Sequence, residues 1–168
     1  MKAGPRYHVK PRRHRQGRTD YRKRLRLLKS RKTRIVIRKS LKEIRVQFIQ
    51  YSQGGDKIIS STLSKDLIKN FNWKYSVSAI PAAYLTGLLA GKKAQEKGVK
   101  EGILDIGRYR PTNGNKLFAT MKGVVDAGIH CPYDETMIPT EDRILGKHLN
   151  KDIDPAIIEI KNKIIGGK

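Results

Sequence analysis

Most side chains able to do chemistry in this sequence are cations, and they crowd toward one end. Arg6 leads into the run Lys10-Pro11-Arg12-Arg13-His14-Arg15, followed by Arg18, Arg22, Arg24, Arg26 and Lys29, then Arg34, Arg38, Lys39 and Arg45. Residues 1–45 hold 19 Lys and Arg against two acids, Asp20 and Glu43, whereas residues 46–168 hold 18 against 13. The chain carries a net charge of +22 over 168 residues. Such charge repels itself, and its lopsided placement argues for a polyanionic partner rather than a solvated surface. Arg outnumbers Lys between residues 6 and 26. A guanidinium bonds phosphate through two N–H groups and stacks on bases, so this bias suits folded nucleic acid better than bare charge attraction. Tyr7 and Tyr21 lie among these cations, and either ring can stack on an exposed base. If about 8–10 phosphates are neutralised, affinity falls with salt on a log–log slope of roughly −6 to −9.

Other chemistries find little support. A metal-dependent nuclease needs several carboxylates at strand ends. The strand-like segments offer one, Asp105, which reads equally as a capping or loop-ordering residue. His130-Cys131 are adjacent, and neighbours in sequence rarely face each other as nucleophile and base. His8, His14 and His148 show no metal-ligand spacing, and no phosphate-cradling glycine motif is present. No enzyme activity, cofactor, metal or small-molecule substrate is expected. The single cysteine excludes an internal disulfide, which fits a reducing compartment. No apolar run approaches the roughly 18 residues that read as a membrane span. No signal-peptide core is seen, so a cytoplasmic location and no membrane partner are expected. A basic DNA-binding protein is the remaining competitor, but no helix-turn-helix or zinc module is recognisable.

The elements that must position these cations follow from periodicity. Residues 1–18, with Gly4, Pro5, Pro11 and Gly17 and few aliphatic side chains, predict an extended arm that orders on its ligand. Thr19 or Asp20 caps a helix to about Lys32, on which Tyr21, Leu25 and Leu28 form an apolar stripe. That spacing favours core packing for Tyr21 over base stacking. Strands are predicted at 34–39, with Ile35 and Ile37 on one face and Arg34, Val36 and Arg38 on the other, at 44–52, and at 57–62 after the Gly54-Gly55-Asp56 hairpin signal. Arg34, Arg38, Lys39 and Arg45 would then make a basic sheet face. A short helix at 64–70 precedes a long one from Ser78 to about Lys97, with Pro81 in its first turn. Its Ala83, Gly87, Ala90, Gly91 and Ala94 suit close approach to a sheet or to RNA backbone. Residues 102–107 read as a buried parallel strand. The loop from Arg108 to Asn115 enters a helix at 116–129, which offers Asn113 and Lys116 at an anion-binding N-terminus. Short and long helices complete the chain near 141–147 and from Asp154 to about Ile165. This order predicts an α/β fold, three layers α/β/α around a mixed sheet. Residues 1–18 would be the arm, 19–149 the body and 150–168 a helical tail.

The run Arg12-Arg13-His14-Arg15-Gln16-Gly17-Arg18-Thr19-Asp20-Tyr21-Arg22-Lys23-Arg24-Leu25-Arg26-Leu27-Leu28 resembles the N-terminal signature of the 5S-rRNA-binding L-eighteen family of large-subunit ribosomal proteins, in its archaeal and eukaryotic form. So do Ala83-Tyr84-Leu85-Thr86-Gly87-Leu88-Leu89-Ala90-Gly91, Leu104-Asp105-Ile106-Gly107 and Lys122-Gly123-Val124-Val125-Asp126-Ala127-Gly128. The resemblance covers residues 1 to about 149. It implies a ribonuclease-H-like motif with a mixed five-stranded sheet, the fifth strand to come from 72–78 or 131–138. It also implies a non-catalytic role: binding 5S rRNA and helping attach it to 23S rRNA in the central protuberance, beside neighbouring large-subunit proteins.

Overall fold

The computed structural model describes residues 4, 6–149 and 153–166. Pro5 of the expected arm, with residues 1–3, and residues 150–152, 167 and 168 of the expected tail lie outside the described residues.

Alternation of apolar and polar residues builds the sheet. Strands β1 (Arg34–Lys39) and β2 (Ile44–Ser52) have the bounds their patterns predict. Strand β3 (Gly55–Leu63) starts earlier than expected, because Ser52 pairs with Gly55 across a two-residue turn. The antiparallel register sets Ile35 opposite Phe48 and Ile37 opposite Val46, so the apolar side chains of both strands share one face. Strand β4 (Ile103–Asp105) lies parallel to β1, giving the order β3-β2-β1-β4. A parallel neighbour needs a crossover, and helices α3 (Asp66–Phe71) and α4 (Ile80–Gln95) supply it. Among the described residues the expected fifth strand is not formed. Residues 72–78 are irregular, and residues 131–138 lead into a 3-10 turn at Glu135–Met137. A lone parallel bridge between Glu101 and His130 is the pairing beyond β4.

Helix α4 is buried on nearly every side, which is why it lacks a single apolar stripe. Its Ala83, Ala90 and Ala94 pack in one core with the sheet, as expected, and its Gly87 and Gly91 meet helix α5 (Lys116–Asp126). A Cβ on Gly87 would sit 1.9 Å from the Thr120 carbonyl oxygen, and one on Gly123 would sit 2.2 Å from that of Tyr84. The two helices therefore cross at backbone contact distance. Beneath them, Ile35, Ile37, Ile44, Val46 and Phe48 pack with Ala83, Leu117, Met121 and Val124 in one core.

A second core lies on the far side of α4. Short helix α6 (Glu141–Ile144) and helix α7 (Ile153–Gly166) contribute Ile144, Ile153, Ile157, Ile160 and Ile164, which pack with Leu85, Leu88, Leu89 and Trp73. The α7 isoleucines recur at helical spacing, and each buried side chain contributes about 1.5–3 kcal/mol. The opposite sheet face carries Arg34, Val36 and Arg38, and a different helix covers it.

Candidate nucleic-acid interface

That helix is α2 (Tyr21–Lys29), and Asp20 starts it. The Asp20 carboxylate accepts hydrogen bonds from the backbone N–H groups of Arg22 (3.0 Å) and Lys23 (3.1 Å). The Lys23 N–H is the main reason its pKa lies below the usual carboxylate value. The face that docks differs from the apolar stripe. Lys23, Arg24, Leu27 and Leu28 are half-buried, while Tyr21 and Leu25 are 39% and 57% exposed. The expected core packing of Tyr21 with Leu25 is thus replaced by a helix turned so that Tyr21, Arg22, Leu25, Arg26 and Lys29 face outward.

Charge explains the turn. The sheet face beneath α2 presents Asp56 and Asp105, and these join three arginines into an alternating ladder. Arg24 Nη2 of α2 donates to Asp56 Oδ2 at 2.8 Å, and Arg34 Nη2 donates to the same oxygen at 2.7 Å. Arg34 Nη1 donates to Asp105 Oδ2 at 3.1 Å, and Arg38 Nη2 to Asp105 Oδ1 at 3.0 Å. Burial works to raise both carboxyl pKa values. The Arg34 and Arg24 hydrogen bonds on Asp56, and the Arg38 charge and Gly107 N–H on Asp105, outweigh burial and lower both. Arg34 is 3% exposed, so it anchors the helix from within. The expected basic sheet face is therefore largely neutralised at Arg34 and Arg38. Asp105 also orders the loop after β4 by accepting from Gly107 N–H at 2.8 Å.

The arm is not wholly extended. Arg12–Arg15 forms one helical turn, α1, and Arg13 Nε donates to Thr19 Oγ1 at 3.0 Å. Gly17 adopts φ +67°, and Arg108 lies against it, 3.5 Å from where a Cβ would stand. The His14 ring stacks near Tyr21, with centroids 6.5 Å apart and planes 28° from parallel. Two concavities result. A deep one of about 120 Å³ is lined by Arg13 and Arg18 of the arm, Lys23 and Arg24 of α2, Arg34 and Arg38 of β1, and Arg108, together with Asp20 and Asp105. A broad one of about 770 Å³ lies outside it, between Lys10, His14, Arg15, Tyr21, Arg22 and Arg108.

The remaining predicted residues are spread more widely. Arg6, Tyr7, Lys10, Arg12, Arg15 and Arg18 are exposed on the arm. Lys39 sits 5.6 Å over the Tyr109 ring, and Tyr109 O–H donates to the Lys39 carbonyl. Exposed Arg45 pairs with Glu43 at 3.3 Å. Asn113 is exposed and Lys116 half-buried where α5 begins, but Asn115 gives its side chain to Thr112 instead of capping the helix. Sequence reasoning missed Lys23 and Arg108 as wall residues and Asp56 as an anchor. For Arg108 the available signal was its place directly after Gly107 at a strand end. Asp56 gave only a hairpin signal.

Among the described residues, no three of His, Cys, Asp and Glu converge where a metal could bind, and no helix is long and apolar enough to cross a membrane. Cys131 is buried, and desolvation pushes its thiol pKa up, away from reactivity. Cations drawn from four separate elements stand on one face, where Asp56 and Asp105 are held by arginines and Asp20 by backbone N–H groups, a scaffold suited to a polyanion.

Comparison with known proteins gives that scaffold a family. Residues 5–102 and 93–134 match the family described as ribosomal large subunit proteins 60S L5 and 50S L18. Over 149 residues, 89% of this chain, it is 51% identical to large ribosomal subunit protein uL18 of Korarchaeum cryptofilum, covering 76% of that protein. Over the same span it is 47% identical to uL18 of Haloarcula marismortui and 44% to uL18 of Aeropyrum pernix, covering 79% and 70% of those proteins. The chain belongs to this family of ribosomal large-subunit proteins. The family is one of structural proteins and not of enzymes.

Proposed function

We propose that this protein is a structural constituent of the large ribosomal subunit in the cytoplasm, that it binds 5S rRNA through the α1–α2 face, and that it helps attach 5S to 23S rRNA in the central protuberance beside neighbouring large-subunit proteins. The observation that carries this reading is the orientation of α2. Its inner face is fixed by the ladder through Arg24, while Tyr21, Arg22, Arg26 and Lys29 stand exposed beside the cations of the arm. A rigid helix offering an aromatic ring among arginines can grip phosphates and stack on an unpaired base at once. Of the residues singled out in the sequence, Arg6, Tyr7, Lys10, Arg12, Arg15, Arg18, Tyr21, Arg22, Arg26 and Lys29 are assigned direct contact. Arg24, Arg34 and Arg38 are assigned support.

Binding to 5S rRNA, duplex DNA and an unrelated structured RNA at several salt concentrations, with and without residues 1–18, tests this. Selective 5S binding with a steep salt slope, weakened by loss of the arm, supports the proposal. Equal affinity for all three polyanions would sink it and leave a general nucleic-acid binder.

A further inference from the structure

The deep cavity between the arm, α2 and β1 has more positive charge than its own carboxylates answer. Seven Lys and Arg side chains line it against Asp20 and Asp105. Asp20 is engaged by the first-turn N–H groups of α2, and Asp105 by Arg34, Arg38 and Gly107. Among the described residues Arg18, Lys23 and Arg108 form no salt bridge. A second observation concerns a residue in the cavity wall. Arg34, nearly inaccessible at 3% exposure, spends Nη1 and Nη2 on Asp105 and Asp56, yet its buried Nε has no hydrogen-bond partner. A buried donor without an acceptor is costly, and most buried polar groups in proteins are satisfied by protein, water or ligand.

We propose that this cavity is a phosphate-binding site that takes one backbone phosphate of the bound RNA, with Arg18, Lys23 and Arg108 closing on the anion. The proposal rests on the RNA-binding reading above and adds where one phosphate seats. Size agrees: a tetrahedral oxyanion displaces a few waters, at roughly 30 Å³ of liquid each, and the cavity is about 120 Å³. Chemistry agrees as well. Guanidinium groups arriving from different directions favour a multivalent oxyanion over chloride, because each can give charge-assisted hydrogen bonds to separate oxygens. Arg13 and Arg18 of the arm line the cavity beside Arg108, so seating a phosphate would also order the arm against the body.

The test follows the Arg Nε–H resonances of the full chain by NMR while inorganic phosphate is added at constant ionic strength, against a matched chloride titration. A saturable shift at Arg34 Nε with phosphate, absent with chloride, is expected. The double variant R18Q/R108Q, checked for folding by its amide spectrum, should weaken phosphate roughly tenfold or more, the cost of charge-assisted hydrogen bonds. Adding 5S rRNA should move the same resonance and abolish the phosphate titration. No phosphate-specific shift in the wild-type chain would overturn the site. A phosphate shift that bound RNA leaves intact would overturn the assignment to RNA backbone, and free phosphate would be the source. RNA binding measured separately keeps the two claims apart: RNA bound tightly with Arg34 Nε unmoved defeats this site alone, whereas a phosphate response without 5S selectivity defeats the functional reading.

Discussion

Arg34 of β1 and Asp56 of β3 are held at 2.7 Å across the intervening strand, and the Asp56 oxygen they share is the one that also receives Arg24 from α2. Through that oxygen a buried strand arginine fixes the exposed helix. The arrangement separates two kinds of arginine in one basic sequence, those that build the platform and those that it presents.

Acid should loosen the platform. Asp56 and Asp105 both have folded-state pKa values below the ordinary 3.8. Their contribution to stability is therefore fully present above about pH 3.8 and is lost as pH falls through the lower folded values. Urea denaturation between pH 7 and pH 2 should show stability falling below pH 4. In Asp105→Asn that part of the pH dependence should flatten, and stability at pH 7 should drop by about 1–3 kcal/mol, because Arg34 loses one of its two carboxylate partners while Asp56 still holds the other side of its guanidinium. An unchanged curve in the variant would show that Asp105 is not the titrating anchor.

Removing the Asp56 charge should weaken RNA binding. Simple electrostatics says the opposite, since deleting an anion near a cationic face favours a polyanion. If the ladder positions α2, Asp56→Asn frees Arg24 and disorders the face, and 5S affinity falls while the chain stays folded. Tighter binding by the variant would mean that α2 needs no anchor.

The α4–α5 crossing should not tolerate a methyl group. Gly123→Ala places a Cβ 2.2 Å from backbone oxygen and should cost about 1–3 kcal/mol or more. Gly54→Ala, which meets nothing within 4 Å, should be nearly neutral. Thermal melts of the two variants make the comparison.

Tyr21 separates affinity from stability. Because it is 39% exposed, Tyr21→Ala should leave the melting temperature close to wild type while removing about 1–3 kcal/mol of RNA affinity through lost stacking. Tyr21→Phe should retain that affinity. A collapse of stability in Tyr21→Ala would restore the packing role that the apolar spacing suggested.

The sheet was legible because its signals are local. Ile35 and Ile37 alternate with Arg34 and Arg38, and that fixes strand and face together. Thr19 or Asp20 marked the start of α2, of which the structure selects Asp20, and Pro81 the start of α4, for equally local reasons, capping and a pre-set φ. What could not be read depends on distant partners. The rotation of α2 is decided by Asp56, 32 residues beyond Arg24, and no apolar period encodes an electrostatic dock. Gly87 and Gly91 announced a close approach, but only the fold says that α5 makes it. Arg34 looked like a ligand-facing cation until its carboxylate partners from β3 and β4 were in place.

The most direct measurement is the salt dependence of 5S rRNA binding by the wild-type chain and by the triple variant R22Q/R26Q/K29Q, which neutralises the outward face of α2 and leaves the ladder intact. The account predicts an unchanged melting temperature, weaker binding, and a log–log salt slope smaller in magnitude by about 2–3. A folded variant with wild-type affinity and slope would contradict it, because the RNA would then be held without the face that the Arg34–Asp56 anchor presents.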